Sequence, residues 1–184
     1  MFFIANHPIY NHPLPEGHRF PMLKYELLPK QLLHEGTAEC TDFYSPDSID
    51  LSLVHAVHTV SYVKALTELT LDAKAVRSIG FPLSAALVER ELRIAQGTVV
   101  GCNHALENGI AFNIAGGTHH AFSDRGEAFC LLNDQAIAAQ YLINQKKCHK
   151  ILIVDLDVHQ GNGTAEIIQN NADVITFSMH GQSN

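Results

Sequence analysis

Apolar residues recur along this chain at two different periods, and the alternation between them outlines an α/β protein. From 83 to 107 they fall at Leu83, Leu87, Leu92, Ile94, Val99, Val100 and Leu106, close to helical spacing, with Asn108-Gly109 as a stop. Similar spacing predicts helices near 22–34 and over Tyr62–Leu69, within a stretch that also carries Leu51, Val54 and Val57. Asn133-Asp134 caps a further helix running to about Lys147, with Ile137, Tyr141 and Leu142 facing inward. The other pattern is the short continuous run. Ile151-Leu152-Ile153-Val154-Asp155 reads as a strand buried on both faces. Asp173–Ser178 reads as the next strand, Ile110–Ile114 as an earlier short one, and Thr164–Asn170 as a helix between. Strand, helix, strand in succession predicts a three-layer α/β/α fold with a mostly parallel sheet, strand 151–155 being central and parallel to 174–178. Residues 6–22 hold four of the seven prolines and are expected to be a loop.

Composition narrows the class. The 184 residues are 46% hydrophobic and 17% charged, which suits one globular domain over 1–184. The net charge of −7 and scattered basic residues leave no footprint for nucleic acid. Cys40, Cys102, Cys130 and Cys148 are far apart with no C-x-x-C, so reduced thiols in a cytoplasm fit better than a disulfide framework. No run reaches membrane-spanning length, and Met1–Ala5 is too short for a signal peptide. Oligomeric state stays open.

Chemistry concentrates late in the chain. In an extended strand, residues two apart project to one side, so Asp155, Asp157 and His159 are expected to emerge together at a strand's carboxyl end. Open α/β sheets bind ligands there. Two carboxylates and an imidazole suit a divalent metal such as zinc. The plainer alternative is a strand-end turn in which the aspartates act as caps. Gly116-Gly117 precedes the pair His119-His120. Adjacent histidines point in different directions, so they are expected to act on one substrate in different roles, as general acid and base. Asp155 is the natural carboxylate partner for one of them, because a hydrogen-bonded carboxylate fixes the tautomer and raises basicity.

Four strings together resemble the zinc-dependent histone deacetylase family, of arginase/deacetylase fold, in its bacterial and class IV branch. They are Gly116–Ala121, Ala128–Asp134, Val154–Thr164 and Phe177–His180. The resemblance implies that Asp157 and His159 ligate zinc, with ferrous iron as an alternative, and that His119 and His120 are the acid/base pair. It implies that Asp155 buttresses His119, and that Phe129 and Gly117 line a narrow channel for an acyl-lysine side chain. It further implies a potassium ion near Asp155, Asp157, His159, Ser178 and Met179, held partly through backbone oxygens. Asn162 stands where many relatives carry an acidic residue, so His120 is expected to be less basic.

The family's third metal ligand and its carbonyl-polarising tyrosine are expected beyond residue 184, so the domain is expected to be truncated at its C-terminal end. The leading reading is a metal-dependent amidohydrolase acting on an acyl-lysine protein or an acylated small amine. The alternatives are a non-catalytic fragment of such a domain and an acetylpolyamine or other small-amide hydrolase. An arginase-like ureohydrolase is disfavoured, because that chemistry uses a denser set of aspartates.

Overall fold

The structure is a computed structural model describing residues 2–182. Its contacts divide the chain into two compact units, one of Met1–Ile49 with Phe81–Gly116 and one of Asp50–Gly80 with Gly117–Asn184.

The first unit contains strands β1 (Ile4–Ala5), β2 (Phe43–Tyr44) and β3 (Phe112–Asn113), and helices α1 (Lys24–His34) and α5 (Ala85–Asn108). The strands form a parallel sheet in the order β2-β1-β3. Helix α5 begins where the Ser84 hydroxyl accepts from the Leu87 N–H, and ends at Gly109 with φ +92°. Gly97 has a packing reason to be there. A Cβ on it would come within 3.0 Å of the Ala5 Cβ, the Asn113 Nδ2 and the Tyr10 Oη, so the missing side chain lets α5 lie close against the sheet. Tyr10, Ile94 and Ala115 form the core beside it.

The second unit holds α2 (Leu51–Val54), α3 (Val60–Thr67), α4 (Ala73–Ile79), α6 (Asp134–Asn144), β4 (Ile151–Asp155), α7 (Asn162–Ile168) and β5 (Val174–Ser178). Strands β4 and β5 are parallel, in register from Ile151 opposite Val174 to Asp155 opposite Ser178. Ala136 and Ala139 of α6 and Ile168 of α7 pack against Ile153 and Val174 on one sheet face.

Two expectations need correction. The β4 run is not buried on both faces: Ile153 and Asp155 are buried, while Leu152 and Val154 are 60% and 49% exposed. Helices α6 and α7 cover one side only, so burial alternates with the two-residue period of the strand. Nor is β4 central, since among the described residues its sheet has two strands.

Candidate active site

The second unit gathers the chemistry-bearing residues around the carboxyl end of β4. Residues Gly116–His120 form a loop held from below by Asp134. One carboxylate oxygen of Asp134 accepts the Thr118 N–H at 2.8 Å and lies 2.7 Å from the Thr118 hydroxyl, and both oxygens receive the Gly117 N–H at 3.1 Å. Gly117, at φ +90°, makes the turn that aims these donors. Asp134 and Thr118 are buried.

The rings of His119 and His120 lie side by side, 4.1 Å between centroids, not pointing apart as neighbours in an extended chain would. Each has its own partner. His119 Nδ1 sits 2.6 Å from a carboxylate oxygen of Asp155, with both residues buried. His120 Nδ1 sits 2.8 Å from the Asn162 side-chain oxygen, which also accepts the Gly163 N–H at 2.9 Å. Burial pushes the His120 pKa below its ordinary value. The bond to Asn162 opposes that shift, and the charges of His119 and His159 add to it. An amide partner supplies orientation without negative charge, so burial wins.

The loop is locked to α7 by backbone contacts. The Thr164 N–H donates to the His119 carbonyl at 3.1 Å. Gly163 passes so close to the carbonyls of His119 and Ala121 that no Cβ would fit. The Asn133 amide completes the lock, donating to the Ala121 carbonyl at 3.1 Å and to the Thr164 hydroxyl at 2.9 Å. Gly161 plays a matching part: a Cβ there would collide with the Asp155 carboxylate.

Beyond Asp155 the chain leaves the strand, so the alternation expected to carry Asp157 and His159 is replaced by turns. The turns are built by the aspartates themselves. Asp155 accepts the Asp157 N–H at 3.0 Å, and Asp157 accepts the His159 N–H at 2.8 Å. The capping alternative therefore describes the local geometry, and it still places the side chains together. His159 Nδ1 lies 3.0 Å from an Asp157 carboxylate oxygen, the His120 and His159 ring centroids are 5.8 Å apart, and His119 Nε2 is 3.9 Å from Asp157. The two side chains are half exposed, 52% for Asp157 and 57% for His159. Partial burial pushes the Asp157 carboxyl up, but bonds from the His159 N–H and ring outweigh it and its pKa is lowered.

Of the remaining residues singled out in the sequence, Ser178 and Met179 lie beside the end of β4, and Phe129 lies against the end of α4. The Met179 N–H donates to the Asp155 carbonyl at 3.0 Å, and the Ser178 hydroxyl accepts the Gly161 N–H at 3.2 Å. Phe129 is half-buried in a strained turn, with φ +69° after Ala128 at φ +45°. Two backbone bonds hold it there, Ala128 N–H to Ser78 O at 3.0 Å and Phe129 N–H to Ile79 O at 2.6 Å. Gly80 leaves room for its ring, since a Cβ there would lie 2.9 Å from Phe129 Cε1. Among the described residues, no group of three or more His, Cys, Asp or Glu side chains is placed to hold a metal. Two supports escaped the sequence reading: Asp134, hidden behind its role in a helix cap, and Gly80.

The histone deacetylase domain model matches residues 18–184, and the chain belongs to that family. An uncharacterized protein of Picosynechococcus is 48% identical over 183 residues, which span all of this chain and 61% of that protein. The acetoin utilization protein AcuC of Bacillus subtilis is 33% identical over 138 residues, covering 71% of this chain and 35% of that one. The crystal structure of a histone deacetylase homologue from Aquifex aeolicus aligns with a TM-score of 0.83 at 24% identity, over 97% of this chain and 50% of that one. The fold is accordingly the α/β arginase/deacetylase fold, and the chain spans about half the length of the solved relative.

Proposed function

We propose that this chain supplies the acid/base half of a zinc-dependent deacetylase site that hydrolyses the amide of an acyl-lysine or an acylated small amine. The observation that carries the reading is the paired arrangement of His119 on buried Asp155 and His120 on Asn162, with their rings 4.1 Å apart.

The residues present fit a divalent ion in part. Asp157 and His159 bring one oxygen and one nitrogen donor within 3.0 Å of each other at the accessible edge of the pair. Among the described residues they are two ligands, where catalytic zinc takes three from protein. Zinc held there would supply Lewis-acid polarisation of the amide and a lowered water pKa. The chain's own part is proton transfer. His120, kept neutral by burial, takes a proton from the attacking water. That proton then goes to the leaving amine, either from His120 itself or by way of His119, which Asp155 orients through Nδ1 so that Nε2 faces the site. Potassium near Asp155, Ser178 and Met179, a Phe129- and Gly117-lined channel, and a cytoplasmic location belong to the same proposal.

A second reading is a non-catalytic fragment, favoured by the lack of a three-ligand group among the described residues. Acetyl-lysine peptide turnover with added zinc separates the two. It should be measured on residues 1–184 and on the same chain fused to the unmatched portion of the Picosynechococcus protein. Turnover by the fused chain that disappears in His120→Ala, with metal retention reduced in Asp157→Ala and His159→Ala, supports the hydrolase. A fused, folded, zinc-loaded chain with no amidase activity overturns it.

A further inference from the structure

Ala128 and Phe129 occupy a backbone shape that their side chains disfavour, and the end of helix α4 holds them in it. The backbones of Glu127 and Cys130 bond to each other in both directions, at 3.1 and 2.8 Å, closing a tight turn. Both central residues have positive φ, +45° and +69°, the pattern of a type I′ turn. Such turns ordinarily carry Asn and Gly, because a Cβ crowds the backbone in the left-handed region. An Ala-Phe pair keeps this shape only where its surroundings fix it, and strain of that kind gathers at functional sites.

The surroundings are the last carbonyls of α4. A helix end leaves its final carbonyls without partners in the helix. Those of Ser78 and Ile79 accept the N–H groups of Ala128 and Phe129, at 3.0 and 2.6 Å. At the base of the turn, a Cβ on Gly126 would lie 2.8 Å from the Tyr62 hydroxyl and 2.9 Å from Ile79 Cγ1. Gly80 ends the helix at φ +83° and seats the ring: a Cβ there would meet Phe129 Cε1 at 2.9 Å and Cδ1 at 3.3 Å. One three-residue segment, Ser78–Gly80, thus fixes both the backbone and the ring of Phe129.

We propose that Gly80 is a positioning residue for substrate: by seating the Phe129 ring against the end of α4, it sets the width of the channel that grips the alkyl stem of the acylated amine. The proposal rests on the hydrolase reading, in which Phe129 lines that channel. A methyl on Gly80 falls about 0.5 Å short of the 3.4 Å at which ordinary contact begins, so the ring must move away from α4. The stem is gripped alike before and during reaction, so the loss falls on KM and spares kcat. A merely structural role does the reverse, since unfolded chains lower the apparent kcat and leave KM alone.

The test has two arms. In residues 1–184, NMR should show nuclear Overhauser contacts between the Gly80 α protons and the Phe129 ring, and slow exchange of the Ala128 and Phe129 amides. In this chain fused to the unmatched portion of the Picosynechococcus protein and loaded with zinc, Gly80→Ala should raise KM for an acetyl-lysine peptide about tenfold and keep kcat within about twofold. Gly80→Asn should do the same should the alanine variant not fold, since Asn is better tolerated at positive φ. Gly36→Ala, at φ +69° with nothing within 4 Å, should leave both constants unchanged. Gly80→Ala with Phe129→Leu should match Phe129→Leu alone, because the smaller side chain clears the methyl. An unchanged KM in the folded Gly80 variant, with turnover intact in the parent, overturns this proposal and leaves the hydrolase standing. So does a lack of ring contacts or of protected amides in residues 1–184, a result that needs no variant to fold. A parent fusion that folds and binds zinc but has no amidase activity overturns the hydrolase, and the positioning role falls with it.

Discussion

The Asn133 backbone N–H donates to Nε2 of His58 at 3.0 Å, and this bond settles which ring nitrogen carries the proton. The other nitrogen, Nδ1, lies 2.9 Å from the Phe122 carbonyl, which can only accept. The buried ring is thus a neutral bridge, and burial pushes its pKa from 6.5 down to about 4. A proton on Nε2 would set one N–H against another.

Stability should therefore depend on pH. Below 6.5 the unfolded chain binds a proton at this residue that the folded chain refuses until pH approaches about 4. The His58 contribution is complete above the unfolded value, falls as the solution is acidified through that window, and is fully lost below it. At about 1.4 kcal/mol per unit, the loss is about 3 kcal/mol. Urea unfolding across the window checks this, and His58→Gln should flatten the dependence. An equally steep fall in that variant would assign the effect elsewhere.

Asp134→Asn should destabilise the second unit by about 2–3 kcal/mol, because an NH2 group replaces the second oxygen facing the Gly117 N–H and the buried loop amides lose a charged acceptor. The drop should appear in the urea midpoint. An unchanged midpoint would mean that the histidine loop stands without this support.

Asn162→Asp should raise the His120 pKa. A negative charge replaces a neutral oxygen 2.8 Å from Nδ1 and favours the imidazolium. Titration of the His120 ring by NMR in residues 1–184 gives the sign directly, and no upward movement would count against Asn162 as the Nδ1 partner of this ring.

Gly80→Ala should cost about 1–3 kcal/mol, from a side chain at φ +83° and from its contact with the Phe129 ring. The double variant with Phe129→Ala should recover the contact part, a coupling that two independent sites would lack. Strict additivity in thermal unfolding would show that the glycine is needed for its backbone alone.

Much of this was legible in the chain. The long helix over 83–107 and its stop at Asn108-Gly109 match α5, and the parallel pairing of β4 with β5 followed from a strand, helix, strand succession. The histidine partners could be anticipated because Asp155 and Asn162 sit in a compact motif. The two-residue strands β1 and β2 were not legible, since so short a pairing leaves no periodicity. Helix α4 was missed although Asp72 caps it and Gly80 ends it, its seven residues being too few to show a face. The exposed side of β4 was misread because a continuous apolar run looks the same whether or not its second layer is present. Phe129's unusual backbone had no signal at all, as nothing in Ala128-Phe129 marks a left-handed turn.

The bond from Thr164 to the His119 carbonyl joins the histidine loop to the first turn of α7. Two segments far apart in sequence therefore open as one cooperative piece, and amide hydrogen exchange at Thr164 should report the same opening free energy as exchange at the amides of α7. The histidine pair inherits the lifetime of a helix, not that of a glycine-rich loop.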